Sequence, residues 1–379
     1  MRVLFLTKHD PVRYGQAEVL QQLARALGGE RVEVELFSSD PAAKGAHLPG
    51  DLALHHGVLP IPQRRGFRHA LRELASLCGE RDYDLIHAHG VRHPGTAARL
   101  LKRRLGMPFV VTSHGDITEA SRLRRRRFRR HCGAVLRAAD AVTHLSAAME
   151  QSAEALGGSP GLQERIPNGL DLAWWREPCE PIAGDYVLSL GRLVAQKGFD
   201  VLVDALEIAA RRGASTSLVI AGEGEERERL DARAGRLGIP VLTRLDALAD
   251  CSRPALCLPG FVAGETKRSL YAGARGVALA SQHGEASPLV ILEAFAAGRA
   301  VLVSDLPSLQ PLVQGERNGL RVAPASRDDW AAAFERLYRD EAWRKSCEAE
   351  NAAAARELGW PGIAAHYAAL YRRVVAASS

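Results

Sequence analysis

The sequence predicts an α/β protein made of two parallel-sheet domains. Three observations carry this expectation. Short β-branched apolar runs alternate with amphipathic helical stretches along the whole chain. The alternation breaks near the middle, in a stretch rich in proline and charge. The 379 residues are enough for two cores of ordinary domain size.

In order, Val3–Leu6 reads as the first buried strand, and a helical pattern runs from Glu18 to Leu27. Val32–Phe37, Leu85–Ala88, Phe109–Thr112 and Val142–Leu145 follow as strands separated by helical segments. Tyr186–Leu190, Ser217–Ala221, Ala255–Leu258, Val277–Ala280 and Val301–Ser304 repeat the theme in the second half. Such βαβ repetition predicts two Rossmann-like domains facing a central cleft. Residues 1–172 form the expected first domain, 173–184 the linker and 185–359 the second domain. Residues 360–379 carry Ile363, Tyr367, Leu370 and Val374 at helical spacing and read as a last amphipathic helix. Thr243 to Pro254 interrupts the pattern and reads as an insertion loop.

Composition narrows the class. No run of about 18 apolar residues exists, so no transmembrane helix is expected. The opening MRVLFLT runs straight into structure and lacks the length of a signal segment. The 6 cysteines are scattered without a C-x-x-C pair, the pattern of reduced thiols in a cytoplasmic protein without a zinc site. Charge is uneven. Residues 1–170 hold 25 Lys and Arg against 17 Asp and Glu, while the remainder is close to neutral. A basic first half points to an anionic partner: a phosphorylated acceptor, a membrane surface or nucleic acid.

The stretch Glu285-Ala286-Ser287-Pro288-Leu289-Val290-Ile291-Leu292-Glu293 is the most informative. Ser287 suits an N-cap and Pro288 the first helical position, so a helix is expected from Pro288 with Glu293 on its second turn. Its first turn presents the backbone N–H groups of Leu289 and Val290 and a partial positive charge, which suits a diphosphate. A carboxylate on either side can hold sugar hydroxyls. Gly191-Arg192 follows a strand and Lys197-Gly198 comes five residues later, a sensible diphosphate clamp. Asn168-Gly169 supplies a tight turn near the end of the first half.

The phrases in their order resemble the GT4-type retaining glycosyltransferases, which have the GT-B fold. Glu285 to Glu293 resembles that family's E-x7-E motif, and GRLVAQKG its G-R-x-x-x-x-K-G element. IPNGLD at 166–171, VIAGEG at 219–224, the G-F-V of Gly260 to Val262 and Ser113-His114-Gly115-Asp116 match further phrases. Gly15 matches one glycine of the family's Gly-Gly-x-Glu loop, while Gln16 replaces the other. The resemblance implies transfer of a glycosyl group from a nucleoside diphosphate sugar to an acceptor hydroxyl, with retention. It implies that Arg192 and Lys197 neutralise the leaving diphosphate, that Glu285 orients the donor sugar and that His114 contacts that sugar. It assigns Gly15, Gly191, Phe261, Val262, Leu289, Val290 and Glu293 to the donor, Glu293 to its ribose. It also implies that the last helix packs back on the first domain. No metal or other cofactor is expected.

His89 and Asp116 are acceptor-side candidates, and His87 reads as structural. Asp82-Tyr83-Asp84 is a formal D-x-D that precedes a strand, so it reads as a solvated turn. Arg122 to Arg130 holds 7 arginines in nine residues. They are expected to surround their helix, and Arg124, Arg125, Arg126 and Arg127 are candidates for an anionic membrane surface or a lipid-linked acceptor. The run lacks the interleaved aromatics of a nucleic-acid module, so nucleic acid is not expected. The chain would then be cytoplasmic, or peripheral on the inner face of the membrane. A GT-B sugar-nucleotide epimerase and a non-catalytic polyanion binder remain as alternatives.

Overall fold

The computed structural model describes every residue except 11–14, 49, 51, 63–64, 118–124, 159–160, 286 and 379. Arg122, Leu123 and Arg124 of the arginine run, and Pro11 to Tyr14 of the first loop, therefore lie outside the described residues. The chain divides into two compact units. One comprises Met1–Gly169 with Leu358–Ser379, the other Leu170–Glu357.

The first unit is built on a seven-stranded parallel sheet: β1 (Arg2–Thr7), β2 (Glu33–Ser38), β3 (Leu54–His56), β4 (Leu85–His89), β5 (Phe109–Ser113), β6 (Ala141–His144) and β7 (Leu162–Arg165), in the order β3-β2-β1-β4-β5-β6-β7. The central strands are apolar on both faces because helices cover both, as parallel sheets require. The edge strands β3 (LHH) and β7 (LQER) are short and polar, so periodicity alone did not announce them.

One face of this sheet packs against the helices Phe67–Arg81, His93–Leu105 and Arg126–Leu136. On the Arg126–Leu136 helix, Cys132, Val135 and Leu136 are buried and Phe128 packs beside them, while Arg126, Arg127, Arg129 and Arg130 are exposed. The arginines thus line the outer face and do not surround the helix, because positions 128, 132, 135 and 136 share one apolar stripe.

The C-terminal helix Trp360–Ser378 packs on the Gly15–Gly29 helix of the same unit. The Trp360 Nε1–H donates to Gln22 Oε1, and Arg372 Nη2 donates to the Glu30 carbonyl at 2.8 Å. Tyr371 OH shares a 2.6 Å hydrogen bond with His87 Nδ1, whose Nε2 lies 2.7 Å from Thr112 Oγ1. His87 is fully buried and structural. The D-x-D stretch is more than a solvated turn. Asp82 closes the Phe67–Arg81 helix in the left-handed conformation, buried Tyr83 donates to Glu35 at 2.6 Å, and Asp84 accepts from the Arg2 N–H at 2.7 Å.

The second unit repeats the plan with β8 (Tyr186–Leu190), β9 (Ser217–Ala221), β10 (Val241–Leu242), β11 (Leu256–Gly260), β12 (Gly276–Leu279), β13 (Ala300–Ser304) and β14 (Gly319–Val322), all parallel, in the order β10-β11-β9-β8-β12-β13-β14. Thr243 to Pro254 joins β10 to β11 within the sheet connection, with a short turn at Asp246–Leu248 whose Leu248 is buried. It is a crossover and not an insertion. The expected linker 173–184 belongs to this unit. Its Leu172–Arg176 helix buries Trp175 edge-on to Tyr271, with ring centroids 5.2 Å apart. Trp175, and Trp174 with the Arg268 guanidinium 4.9 Å from its ring centroid, anchor it there, which a reading of its prolines and charges overlooked. All 6 cysteines are free.

Replacing Tyr371 by Phe strands the fully buried His87 Nδ1 without its partner. A loss of about 1–3 kcal/mol is expected, read as a lower midpoint in thermal unfolding. An unchanged midpoint would remove this bond from the account of how the last helix is fixed.

Candidate active site

In open parallel sheets the carboxyl ends of the strands are where loops can present ligand-binding groups. In the second unit these ends are knitted backbone to backbone. Beyond β8, the Gly191 N–H donates to the Ala221 carbonyl at 3.0 Å and the Leu193 N–H to the Glu223 carbonyl at 2.8 Å. Beyond β9, the Gly222 N–H donates to the Gly260 carbonyl of β11 at 2.8 Å. A Cβ on Gly222 would lie 1.9 Å from the Gly191 oxygen, and one on Gly224 2.4 Å from the Leu193 oxygen, so both positions exclude side chains. Arg192 leaves this knot exposed and, among the described residues, makes no ion pair or side-chain hydrogen bond. Phe261, 58 % exposed, and half-buried Val262 follow Gly260.

Lys197 is placed from the other side. Gly198 has φ of +63°, and a Cβ there would meet the Ala280 oxygen at 2.2 Å. The Gln282 N–H donates to the Gln196 carbonyl at 2.8 Å. These contacts seat the Lys197 loop on the segment after β12. Lys197 Nζ donates to Glu285 Oε1 at 2.6 Å, and the Ser281 hydroxyl donates to the same oxygen. The Glu285 N–H donates to Ser308 Oγ at 3.1 Å. Cation, carboxylate and helix start are therefore held at one place.

The helix after Glu285 runs Leu289–Ala296 with Pro288 as its N-cap, which has no side-chain capping bond. The expected Ser287 cap and Pro288 start are thus one residue early. Proline's lack of an N–H suits the cap as well as the first turn. The first backbone bonds run from Ile291 and Leu292 to the Pro288 carbonyl, so the Leu289 and Val290 amides precede the ladder. Glu293 is buried, accepting from Lys267 Nζ at 2.7 Å and from Tyr271 OH at 2.7 Å. Lys267, Tyr271, Ser281 and Ser308 are the hydrogen-bond partners of the two glutamates that the sequence reading missed. Ser281 lies four residues before Glu285, and Lys267 and Tyr271 lie four apart on the Gly264–Gly273 helix, which was the available signal.

The first unit has its own strand-end cluster. His114 follows β5, and its Nε2 lies 3.0 Å from His89 Nδ1 at the end of β4. His89 is buried and, among the described residues, its Nε2 has no partner. Asp116 accepts from Ser113 Oγ at 3.0 Å and from the Arg92 N–H at 3.0 Å, closing the turn around His114. Gly15 opens the Gly15–Gly29 helix. Arg125 precedes the Arg126–Leu136 helix and is exposed, as are Arg126 and Arg127.

Two family models divide the chain. Residues 14–169 match the glycosyl transferase 4-like domain, and residues 184–340 match glycosyl transferases group 1. The chain belongs to the GT4-type glycosyltransferases. A phosphatidyl-myo-inositol mannosyltransferase of Mycolicibacterium smegmatis is 28% identical over 95% of this chain and 90% of its own. A D-inositol 3-phosphate glycosyltransferase of Pseudarthrobacter chlorophenolicus is 28% identical over 95% of this chain and 91% of its own. A partial match, 34% identical to the uncharacterized glycosyltransferase MJ1607 of Methanocaldococcus jannaschii, covers 42% of this chain and 37% of that protein. The crystal structure of Anabaena HepE with UDP and glucose superposes with a TM-score of 0.81 at 22% identity, covering 98% of this chain and all of that one, which fixes the GT-B fold. The family assignment gives the epimerase and polyanion-binder alternatives no support. Among the described residues of this glycosyltransferase, no helix is long and apolar enough to cross a membrane.

The histidines give the fold a pH dependence. Burial, and then the charge of His9, hold His114 at about 4 against an ordinary 6.5. Burial, and then the neighbouring histidines, lower His89 well below 6.5, and burial with His114 does the same for His87. The unfolded chain takes up these protons near 6.5, while the folded chain does not until much lower pH. Stability is therefore full above about 6.5 and falls as pH drops toward 4, by up to ~1.4 kcal/mol per pH unit for each histidine. Denaturant unfolding at stepped pH should show this fall, and His114→Gln should flatten it. A wild-type profile that is flat between 6.5 and 4 would contradict the neutral, buried histidines.

Proposed function

We propose that this glycosyltransferase moves a hexosyl or N-acetylhexosaminyl group from a nucleoside diphosphate sugar to an acceptor hydroxyl, with retention at the anomeric carbon. The observation that carries the reading is the junction of Lys197, Glu285 and the start of the Leu289–Ala296 helix, with unpaired Arg192 beyond the neighbouring strand. Negative charge builds on the diphosphate as it leaves. Preorganised donors aimed at that charge are the largest catalytic term available to such a site. Lys197 keeps two N–H donors beyond the one given to Glu285, Arg192 offers its guanidinium fork, and the Leu289 and Val290 amides add backbone donors. Glu285 would orient the donor sugar, and Glu293, steadied by Lys267 and Tyr271, would meet the ribose. Gly15, Gly191, Phe261 and Val262 complete the donor assignment, and His114 takes the sugar near the reacting carbon. The reading needs no metal or other cofactor. A front-face, oxocarbenium-like route fits best, since no residue is assigned as a nucleophile on the opposite face of the sugar.

For the acceptor we propose a phosphorylated or lipid-linked alcohol. Support comes from the basic first half of the chain and from relatives named for phosphatidyl-myo-inositol and inositol 3-phosphate. His89, acting through His114, and Asp116 belong to this side. Arg124 to Arg127 would hold the enzyme at the anionic inner face of a membrane, each contributing on the order of 1 kcal/mol at best.

Arg192→Ala and Lys197→Ala are expected to lower transfer about 10²-fold or more, measured as sugar release with a panel of nucleotide sugars. Lys197→Ala also leaves Glu285 without its cation, so a lower thermal midpoint accompanies it. Near-wild-type transfer by both variants would refute the clamp.

The two carboxylates should separate. Glu293→Ala should weaken binding of the free nucleoside diphosphate, whereas Glu285→Ala should impair transfer and leave that binding nearly unchanged. Calorimetric titration checks this, and equal losses of nucleotide affinity would contradict the division of roles.

A further inference from the structure

A second concentration of positive charge lies in the first unit, away from the strand ends just described. The His93–Leu105 helix starts after β4 at the carboxyl edge of the sheet and runs back toward the amino edge, as the helix of a βαβ crossover must. Arg99 lies at its middle, and Lys102 and Arg103 follow one turn later in its last turn. The Arg126–Leu136 helix runs back in the same sense and ends at Arg137. Between the two helix ends is a surface hollow of about 560 Å³ lined by Arg99, Lys102, Arg103, Ala134, Arg137 and Ala138. The two alanines leave the room, and the four cations rim it.

The charge in this hollow is not balanced by the described residues. No Asp or Glu occurs from residue 92 to 115 or from 125 to 139. Asp140, the neighbouring carboxylate among the described residues, is already taken by Lys102 Nζ at 2.6 Å and by the Phe109 N–H at 2.9 Å. Lys102 is thereby neutralised and tied down, its Nζ also donating to the Ala138 carbonyl at 3.2 Å. Arg99, Arg103 and Arg137 have no carboxylate partner among the described residues. The negative ends of the two helices account for cations in the last turns, such as Arg103 and Arg137. They do not account for Arg99, which sits mid-helix and half-buried. Burial, and then the charges of Arg103 and Arg137, lower the pKa of Arg99, so its charged form is disfavoured there without a counter-ion.

We propose that the hollow between the ends of these two helices binds a phosphate group, held by the guanidinium forks of Arg99, Arg103 and Arg137. Arginine is suited to this because its planar fork gives two parallel N–H bonds to phosphate oxygens. The site is separate from the donor clamp, which lies in the other unit, and does not depend on that assignment. The phosphate belongs either to a phospholipid headgroup or to a soluble phosphate ester, since both offer the same oxygens.

The test compares the full-length wild type with R99Q/R103Q/R137Q. Equilibrium dialysis with labelled inorganic phosphate reads the soluble source. Flotation with phosphatidylglycerol vesicles, against pure phosphatidylcholine, reads the lipid source. Affinity for at least one of these probes should fall about tenfold or more in the triple variant, and wild-type binding should weaken with salt. Nucleoside diphosphate binding should be unchanged, which separates this outcome from failure of the donor site. Loss confined to the vesicles identifies a headgroup, and loss of phosphate uptake identifies a soluble ester. R99K/R103K/R137K keeps the charge and removes the forks, so it should recover only part of the affinity. Should Arg99 prove necessary for folding, R103Q/R137Q carries the comparison. The proposal fails if the triple variant binds both probes like wild type, if wild type binds neither at low ionic strength, or if the lysine variant matches wild type in full.

Discussion

The second unit of this enzyme depends on how closely two backbones approach each other at the ends of β8 and β9. A Cβ on Gly222 would sit 1.9 Å from the Gly191 oxygen. No side chain can occupy that space, so the loops after the two strands are fastened by N–H and C=O groups alone. Their placement is inherited from the sheet register, in which Leu190 faces Ala221. Arg192 then points from a rigid base although nothing holds its own side chain. On the other side of β8 the same device recurs, with Gly198 against the Ala280 oxygen. Two cations five residues apart in sequence are thus positioned by two different neighbouring strands. A shift in either strand would move one cation relative to the other.

The two cations are also prepared differently. Arg192 is exposed and unpaired, so presenting it to an anion sacrifices no existing contact. Lys197 is only 20% exposed at its side chain and would pay for its burial without Glu285, which is 13% exposed. The pair gives each of these partly buried groups an opposite charge at 2.6 Å. Glu285 is itself supported through Ser281 and, at its backbone, Ser308. A diphosphate arriving beside this pair would share the ammonium with the carboxylate and not displace it, because an ammonium has three donors.

Much of this was legible in the sequence, and the gaps have physical causes. The central strands, such as Tyr186–Leu190 and Ser217–Ala221, announced themselves because both their faces are buried and their apolar runs are continuous. The edge strands Leu54–His56 and Leu162–Arg165 did not, because one side of an edge meets water. The spacing of Glu285 and Glu293 was readable, but their partners were not. Lys267 and Tyr271 come from a helix some twenty residues upstream, and the fold alone brings them to Glu293. The arginine run misled in the opposite way. Counting arginines hid the stripe of Phe128, Cys132, Val135 and Leu136 that gives the helix one buried face.

The histidines of the first unit show how distant parts of the chain meet one site residue. Tyr371, in the last helix, bonds to His87, whose ring lies 4.0 Å from that of His89, which in turn bonds to His114. All three rings are neutral at ordinary pH, so each carries one N–H. His89 Nε2 is buried without a partner among the described residues. A bare nitrogen there costs less than a stranded N–H, so the His89 proton belongs on Nδ1, donated to His114 Nε2. His114 must then carry its own proton on Nδ1. The buried chain of rings thereby sets the strand-end histidine as a neutral hydrogen-bond donor, the form suited to a sugar hydroxyl or ring oxygen and not to a phosphate. The second unit differs: there the strand ends present the cations Arg192 and Lys197.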